Sequence, residues 1–190
     1  MMNRFCFVAA TVLVFFVAAT AQVNVLTHRY DAARDGQNVS ETLLTPANVN
    51  QTQFGSIFSF NVDGWVAAQP LYMQGLTVGG GGVHNVLFVA TLHDSVYALD
   101  ADNLNGSAPL WQTSFINPAA GVTTVPIADQ GCPFVTLFTE VGVLGTPVID
   151  PTTNTMYVVA KTKEVSGSVT NYVFRLHALD VATGLEKFDY

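Results

Sequence analysis

One short pattern of strand-forming residues occurs twice in this chain of 190 residues, and it constrains the fold more than any other feature. Leu87-Phe88-Val89-Ala90 matches Tyr157-Val158-Val159-Ala160, and the run ending at Asp100 matches the run ending at Asp180. These runs are rich in β-branched and aromatic residues and are bounded by turn-forming residues, which is typical of short antiparallel strands. A repeated unit of this kind buries its apolar faces only by stacking on its neighbours.

The rest of the chain shows the same strand pattern, and no helical period persists over the length of an ordinary helix. The predicted strands are residues 55–61, 70–78, 85–91, 95–100, 110–115, 146–150, 155–161, 172–180 and 186–190. Four antiparallel strands per copy is the composition of one β-propeller blade. The sequence therefore predicts an all-β fold: a partial β-propeller of about two four-stranded antiparallel blades, plus a detached outer strand at 55–61.

The first residues of the chain indicate where the protein is located rather than how it folds. A short basic start at residues 1–4 is followed by an apolar run and by the small-residue step Ala19-Thr20-Ala21. This order is typical of a secretory signal peptide, here residues 1–21. The alternative is a retained membrane anchor, but the run is shorter than the roughly 20 residues that a spanning helix needs. We expect a secreted or periplasmic protein with no membrane span after cleavage.

Behind the signal peptide we expect a lead-in segment, residues 22–53, and a propeller region, residues 54–190. The two blades are predicted at about 54–115 and 146–190, with a long loop at 116–145 between them. Only 11% of the residues are charged, and the net charge is -7. An acidic chain of this kind repels phosphate backbones, so no nucleic-acid partner is expected.

The two cysteines pose a separate question. Cys6 lies in the predicted signal peptide, which leaves Cys132 alone in an exported chain, where disulfides normally form. Either Cys132 is a partly buried thiol, or its partner lies in sequence beyond this chain. No clustered Cys or His spacing is present, so no structural zinc site is expected, and no metal-binding residue is assigned.

A turn motif in the second copy narrows the fold further. Ala178 and Asp180 are followed by Thr183, Gly184 and Phe188. A carboxylate at this position can accept hydrogen bonds from the backbone of the turn, and glycine permits a positive φ. The spacing resembles the tryptophan-docking motif of the quinoprotein-like (PQQ-binding-like) β-propellers, Ala-x-Asp-x-x-x-Gly-x-x-x-Trp, with Phe188 at the tryptophan position.

The first copy keeps Ala98, Asp100 and Trp111 of the same motif, with a longer turn around residues 103–107. Residues 34–49 are similar to the lead-in of secreted bacterial proteins of this family. Because a propeller ring needs 4 to 8 blades, the resemblance implies an N-terminal fragment whose partners are the missing C-terminal blades. Ring closure by oligomerisation of two-blade chains and a small self-sufficient sandwich are the alternatives.

In a propeller, the loops between blades and between the central strands open on one face, where sites form. On this chain those loops are residues 63–68, 93–94, 116–145 and 162–171. They carry three candidate ligand-binding residues, His93, Asp94 and Glu140. His93 and Asp94 can act as a ligand or acid/base pair, and Glu140 can contribute a carboxylate to calcium. A simple turn role for Asp94 and a solvated loop role for Glu140 are the structural alternatives.

Two functions of different class follow from this resemblance. The favoured one is a secreted, non-catalytic binding or scaffolding module for an unknown ligand or protein, and no catalytic residue is assigned. The alternative is the N-terminal part of a PQQ- and calcium-dependent quinoprotein dehydrogenase, in which the quinone performs the oxidation. Cys132 is followed by Pro133, so the adjacent cysteine pair of quinoprotein alcohol dehydrogenases is absent.

Overall fold

A computed structural model of the chain describes residues 23–103, 108–131 and 137–189. Across these residues the fold is all-β, as the sequence predicts, with ten strands arranged in two antiparallel sheets. The helices in this part of the chain are two short 3₁₀ segments, Pro118–Ala120 and Ile127–Gln130. The predicted signal peptide at 1–21, most of the turn at 103–107, and Cys132 lie outside the described residues.

The first sheet, which we call the N-sheet, contains four strands in sequential order. They are β1 (Leu71–Val78), β2 (Gly82–Ala90), β3 (Ser95–Asp100) and β4 (Trp111–Ser114). All four fall where the alternation of apolar and turn residues predicts them. The lead-in joins this sheet at its edge, because Val25 and Tyr72 exchange two backbone hydrogen bonds of 2.9 Å.

The second sheet, the C-sheet, repeats this four-strand order and adds two strands to it. Its strands are β5 (Val122–Pro126), β6 (Glu140–Val141), β7 (Val148–Asp150), β8 (Thr155–Ser166), β9 (Val169–Asp180) and β10 (Glu186–Asp189). Strands β7 to β10 pair sequentially, while β5 pairs with the far part of β8 and with β6. Each copy of the repeat therefore forms a sheet of its own.

The predicted outer strand at 55–61 is wrong, because no strand forms there. Phe60 and Val62 instead pack against Val89, Tyr97 and Leu99, on the face of the N-sheet that points away from the C-sheet. The Phe60 and Tyr97 rings meet edge to face at 6.3 Å. The segment is held by side-chain packing, which a strand pattern in sequence does not distinguish from backbone pairing.

Two predicted loops also contain regular structure. The segment 116–145 holds β5, β6 and both 3₁₀ helices, and the segment 162–171 is mostly strand. The β8–β9 hairpin continues to a tight turn at Gly167, whose φ is 60°. The extended part of β8 pairs with β5: Val122 lies opposite Glu164, Thr123 opposite Lys163 and Thr124 opposite Thr162. The long β8–β9 hairpin therefore explains why both predicted loops, 116–145 and 162–171, contain strands.

The two sheets pack face to face around one shared core. Its fully buried side chains include Val86 and Val96 from the N-sheet and Met156, Val158 and Leu179 from the C-sheet. Residues of a strand alternate between faces, so the neighbours of these C-sheet residues point outward. Outward-facing residues with large exposed side chains are Val159, Phe174, Leu176 and Phe188.

No helix in the described ranges has both the length and the apolar character needed to cross a membrane.

Candidate functional site

The Asp180 turn has the geometry that its sequence predicts. The Asp180 Oδ1 atom accepts hydrogen bonds from Ala182 N at 3.0 Å, Thr183 N at 3.1 Å and Thr183 Oγ1 at 3.1 Å. Gly184 has a φ of 70°. The turn thus leaves the carbonyls of Val181 and Gly184 free to meet a neighbour.

That neighbour is Trp111 of the N-sheet. The Trp111 Nε1 atom donates to the Val181 carbonyl at 3.0 Å, and Thr113 Oγ1 donates to the Gly184 carbonyl at 2.6 Å. A Cβ atom on Gly184 would lie 2.5 Å from the indole ring, so only glycine admits this contact. The docked tryptophan, 9% exposed, joins the two sheets.

The remaining motif residues occupy equivalent places in both copies. Trp111 lies opposite Ala98, and Phe188 lies opposite Ala178. Both alanines are fully buried, as expected where a small side chain makes room for a ring. Asp100 accepts from the Asp102 backbone at 3.0 Å and also contacts His84 at 2.9 Å.

At one end of the strands, the β2–β3 turn places Asp94 in a wholly buried position with a φ of 56°. Its Oδ1 atom accepts from Lys161 N of the C-sheet at 3.3 Å, while its Oδ2 atom is buried without a hydrogen-bond partner among the described residues. Burial raises the pKa of Asp94 to about 7, against the opposing effects of the Lys161 backbone and His93. Asp94 therefore faces the protein interior and does not present its carboxyl group to solvent.

The predicted residues His93 and Glu140 meet at the same end of the strands. His93 Nδ1 lies 2.8 Å from Glu140 Oε1, and Glu140 Oε2 accepts from Thr124 Oγ1 at 2.7 Å. With Glu140 ionised, His93 Nδ1 is the donor of this hydrogen bond. The other ring nitrogen of His93, Nε2, is then the atom through which the imidazole can contact a ligand. The strand β6 carries Glu140 there by pairing with β5.

The loop before β1 adds two residues that the sequence reasoning did not select, Asp63 and Trp65. Asp63 accepts from Thr91 Oγ1 at 2.9 Å and from Ser95 Oγ at 2.5 Å. Trp65 is fixed through its carbonyl, which accepts from Leu92 N at 2.8 Å, yet its side chain is 56% exposed. An aromatic residue in an Asp-Gly-Trp turn, on a loop already predicted at this end, was the available signal.

Between these loops lies an open cleft of about 470 Å³. It is lined by Val62, Asp63, Gly64, Trp65, Thr139 and Glu140. The cleft combines Trp65 with the carboxylate residues Asp63 and Glu140, and His93 contacts Glu140 beside it. This arrangement suits recognition of a small polar group.

Neither a metal-ligand cluster nor comparison with known proteins assigns a function to this site. Within the described ranges, no cluster of three or more His, Cys, Asp or Glu side chains is placed to hold a metal ion. No protein-family model matches the chain, and no curated protein or solved structure matches it significantly.

Proposed function

We propose that the chain belongs to the quinoprotein-like β-propellers and that the N-sheet and the β7–β10 part of the C-sheet are consecutive blades. The docking of Trp111 onto the Asp180–Gly184 turn supports this assignment. The matching register of Phe188 opposite Ala178 supports it as well. On this proposal, the exposed outward face of the C-sheet is the face on which a further blade stacks.

The function we propose is that of a secreted, non-catalytic binding or scaffolding module that recognises its ligand at the cleft beside Trp65. The observation that carries this proposal is the exposed indole, fixed by its backbone in an open polar cleft. A tryptophan whose backbone is fixed and whose side chain is half in solvent offers a large amphipathic contact area, as the aromatic residues of binding surfaces do.

The dehydrogenase alternative requires calcium, which takes six to eight oxygen ligands. Within the described residues, no three His, Cys, Asp or Glu side chains are grouped to hold a metal ion, and no calcium ligand set is assigned from them. We therefore derive no catalytic step through calcium or the quinone, and this alternative remains an untested prediction.

Thermal denaturation of the protein with a defined panel of compounds tests the binding function. The panel contains alkylammonium ions, hexoses, carboxylates and nucleotides, and a ligand of the folded state raises the midpoint temperature. We expect at least one class to protect the wild type and to lose its effect in Trp65→Ala. No protection by any class, or dye-linked alcohol oxidation after addition of the quinone and calcium, would refute the proposal.

A further inference from the structure

The cleft carries the negative charge of two carboxylates, and the contacts within the protein do not neutralise it. Asp63 forms no ion pair within the described part of the chain, and both of its oxygens are held by neutral hydroxyl groups. The partner of Glu140 is an imidazole, which carries a charge only when protonated. None of the lining residues is Lys or Arg. The cleft is therefore a site of negative potential in a chain whose net charge is -7.

The second feature is the indole of Trp65, which lines the same cleft. The face of an indole ring carries negative charge density and attracts cations, more strongly than the rings of Phe or Tyr. Gly64 brings this loop against the β2–β3 turn, since a Cβ atom there would lie 2.9 Å from His93. This approach and the Leu92 N hydrogen bond to the Trp65 carbonyl fix the backbone of the loop beside the β2–β3 turn, at the cleft that Asp63 and Glu140 also line.

These features distinguish among ligand classes. An anion is repelled by Asp63 and Glu140. A neutral polyol can donate to the carboxylates, since each oxygen that accepts one internal hydrogen bond keeps a second acceptor site, but it leaves their negative charge uncompensated. What those internal bonds do not supply is positive charge, and a cation supplies it to the carboxylates and the indole together.

We propose that this cleft binds an organic cation, an alkylammonium or guanidinium group, between the Trp65 ring and the carboxylates of Asp63 and Glu140. The inference rests on the proposed binding function and names the ligand class. The cation belongs either to a free amine or to a Lys or Arg side chain of a partner protein.

Calorimetric titration with N-acetyl-lysine methylamide and N-acetyl-arginine methylamide tests the proposal, with the glutamine analogue as the neutral probe. We expect both cationic probes to bind, the neutral probe not to bind, and affinity to fall as salt is raised. Trp65→Ala should weaken binding about 3- to 30-fold, and Trp65→Phe should retain part of the affinity. Glu140→Gln should weaken binding and flatten its salt dependence.

Phe54→Ala is the matched control, because Phe54 is also 56% exposed but does not line the cleft. It should leave the affinity unchanged. An oligolysine peptide that binds far more tightly than the single residue indicates a protein source, and equal affinity indicates a free amine. Equal binding of the glutamine probe overturns the cation proposal. Protection by hexoses alone would also overturn it while leaving the binding function intact.

Discussion

The two sheets carry the same local motif in two different surroundings. Trp111 and Phe188 occupy the same register opposite a buried alanine, yet Trp111 is 9% exposed and Phe188 is 41% exposed. Trp111 rests on the Asp180 turn of the C-sheet, whereas Phe188 lies on the outward face. The motif sets the position of the ring, and the neighbouring sheet decides whether the ring is buried.

Their outer faces differ in the same way. The N-sheet is covered on its outward side by Phe60 and Val62, while the C-sheet leaves Val159 and Phe174 exposed. Exposed apolar residues on one continuous sheet face mark a surface suited to association. The comparison therefore separates a covered sheet face from an exposed one.

Removing the aromatic side chain from each copy is the strongest way to break this comparison. Trp111→Ala should lower the free energy of unfolding by about 3 to 5 kcal/mol, because a buried ring and its Nε1 hydrogen bond are lost. Phe188→Ala should cost less, about 1 to 2 kcal/mol, because this ring is 41% exposed and packs beside Tyr157 at 6.4 Å between ring centroids. Urea unfolding followed by circular dichroism measures both, and equal losses would contradict the asymmetry.

A methyl group placed at the docking turn tests the same contact from the C-sheet side. Gly184→Ala should destabilise by about 2 to 4 kcal/mol, since the new Cβ strikes the Trp111 ring and φ is positive. Gly167→Ala shares the positive φ but meets nothing within 4 Å. Its cost of about 1 to 2 kcal/mol therefore isolates the backbone contribution. Similar costs for the two variants would argue against close docking.

The pH dependence of stability distinguishes the β2–β3 turn, which contains Asp94, from the β9–β10 turn, which contains Asp180. Of these two residues, Asp94 is the one whose buried carboxyl group accepts a hydrogen bond from the opposite sheet. The pKa of Asp94 rises from 3.8 to about 7 on folding, so the folded protein binds the proton more tightly than the unfolded chain. Its contribution to stability is fully present below about pH 4 and is lost as pH rises through 7.

The free energy of unfolding of the wild type should therefore fall by about 2 to 3 kcal/mol between pH 5 and 8, relative to that of Asp94→Asn, whose side chain cannot ionise. Asparagine tolerates the positive φ, so the variant keeps the turn. His93, Glu140 and Lys161 are unchanged in both proteins, and the difference isolates Asp94. Parallel pH profiles of the two proteins in chemical denaturation would show that the carboxyl group does not titrate on folding.

The smallest effect concerns the Asp180 turn itself. Asp180→Ala removes the acceptor for Ala182 N and for two groups of Thr183, and should cost about 1 to 3 kcal/mol. Asp180→Asn keeps one oxygen acceptor and should recover most of this loss. A change within about 0.5 kcal/mol in the alanine variant, measured by thermal unfolding, would refute the structural role of the carboxylate.

Local chemistry made part of this structure predictable. The four N-sheet strands follow from the alternation of apolar residues and turn residues, and the Asp180 turn follows from the spacing of Asp180, Thr183 and Gly184. Each of these features is decided within a few residues. The resemblance to a propeller, and not local chemistry, predicted that the loops at residues 63–68, 93–94 and 116–145 open on one side.

Tertiary structure decided what depends on distant partners. Strand β5 exists because the β8–β9 hairpin extends to meet it. His93 and Glu140, 47 residues apart, meet because β6 pairs with β5. Sequence alone fixed where the chain can form strands and tight turns, since those preferences are local. Only packing decided that Trp111 is buried, that Asp94 lacks solvent and that Trp65 lines a cleft, because each depends on which distant segment lies alongside.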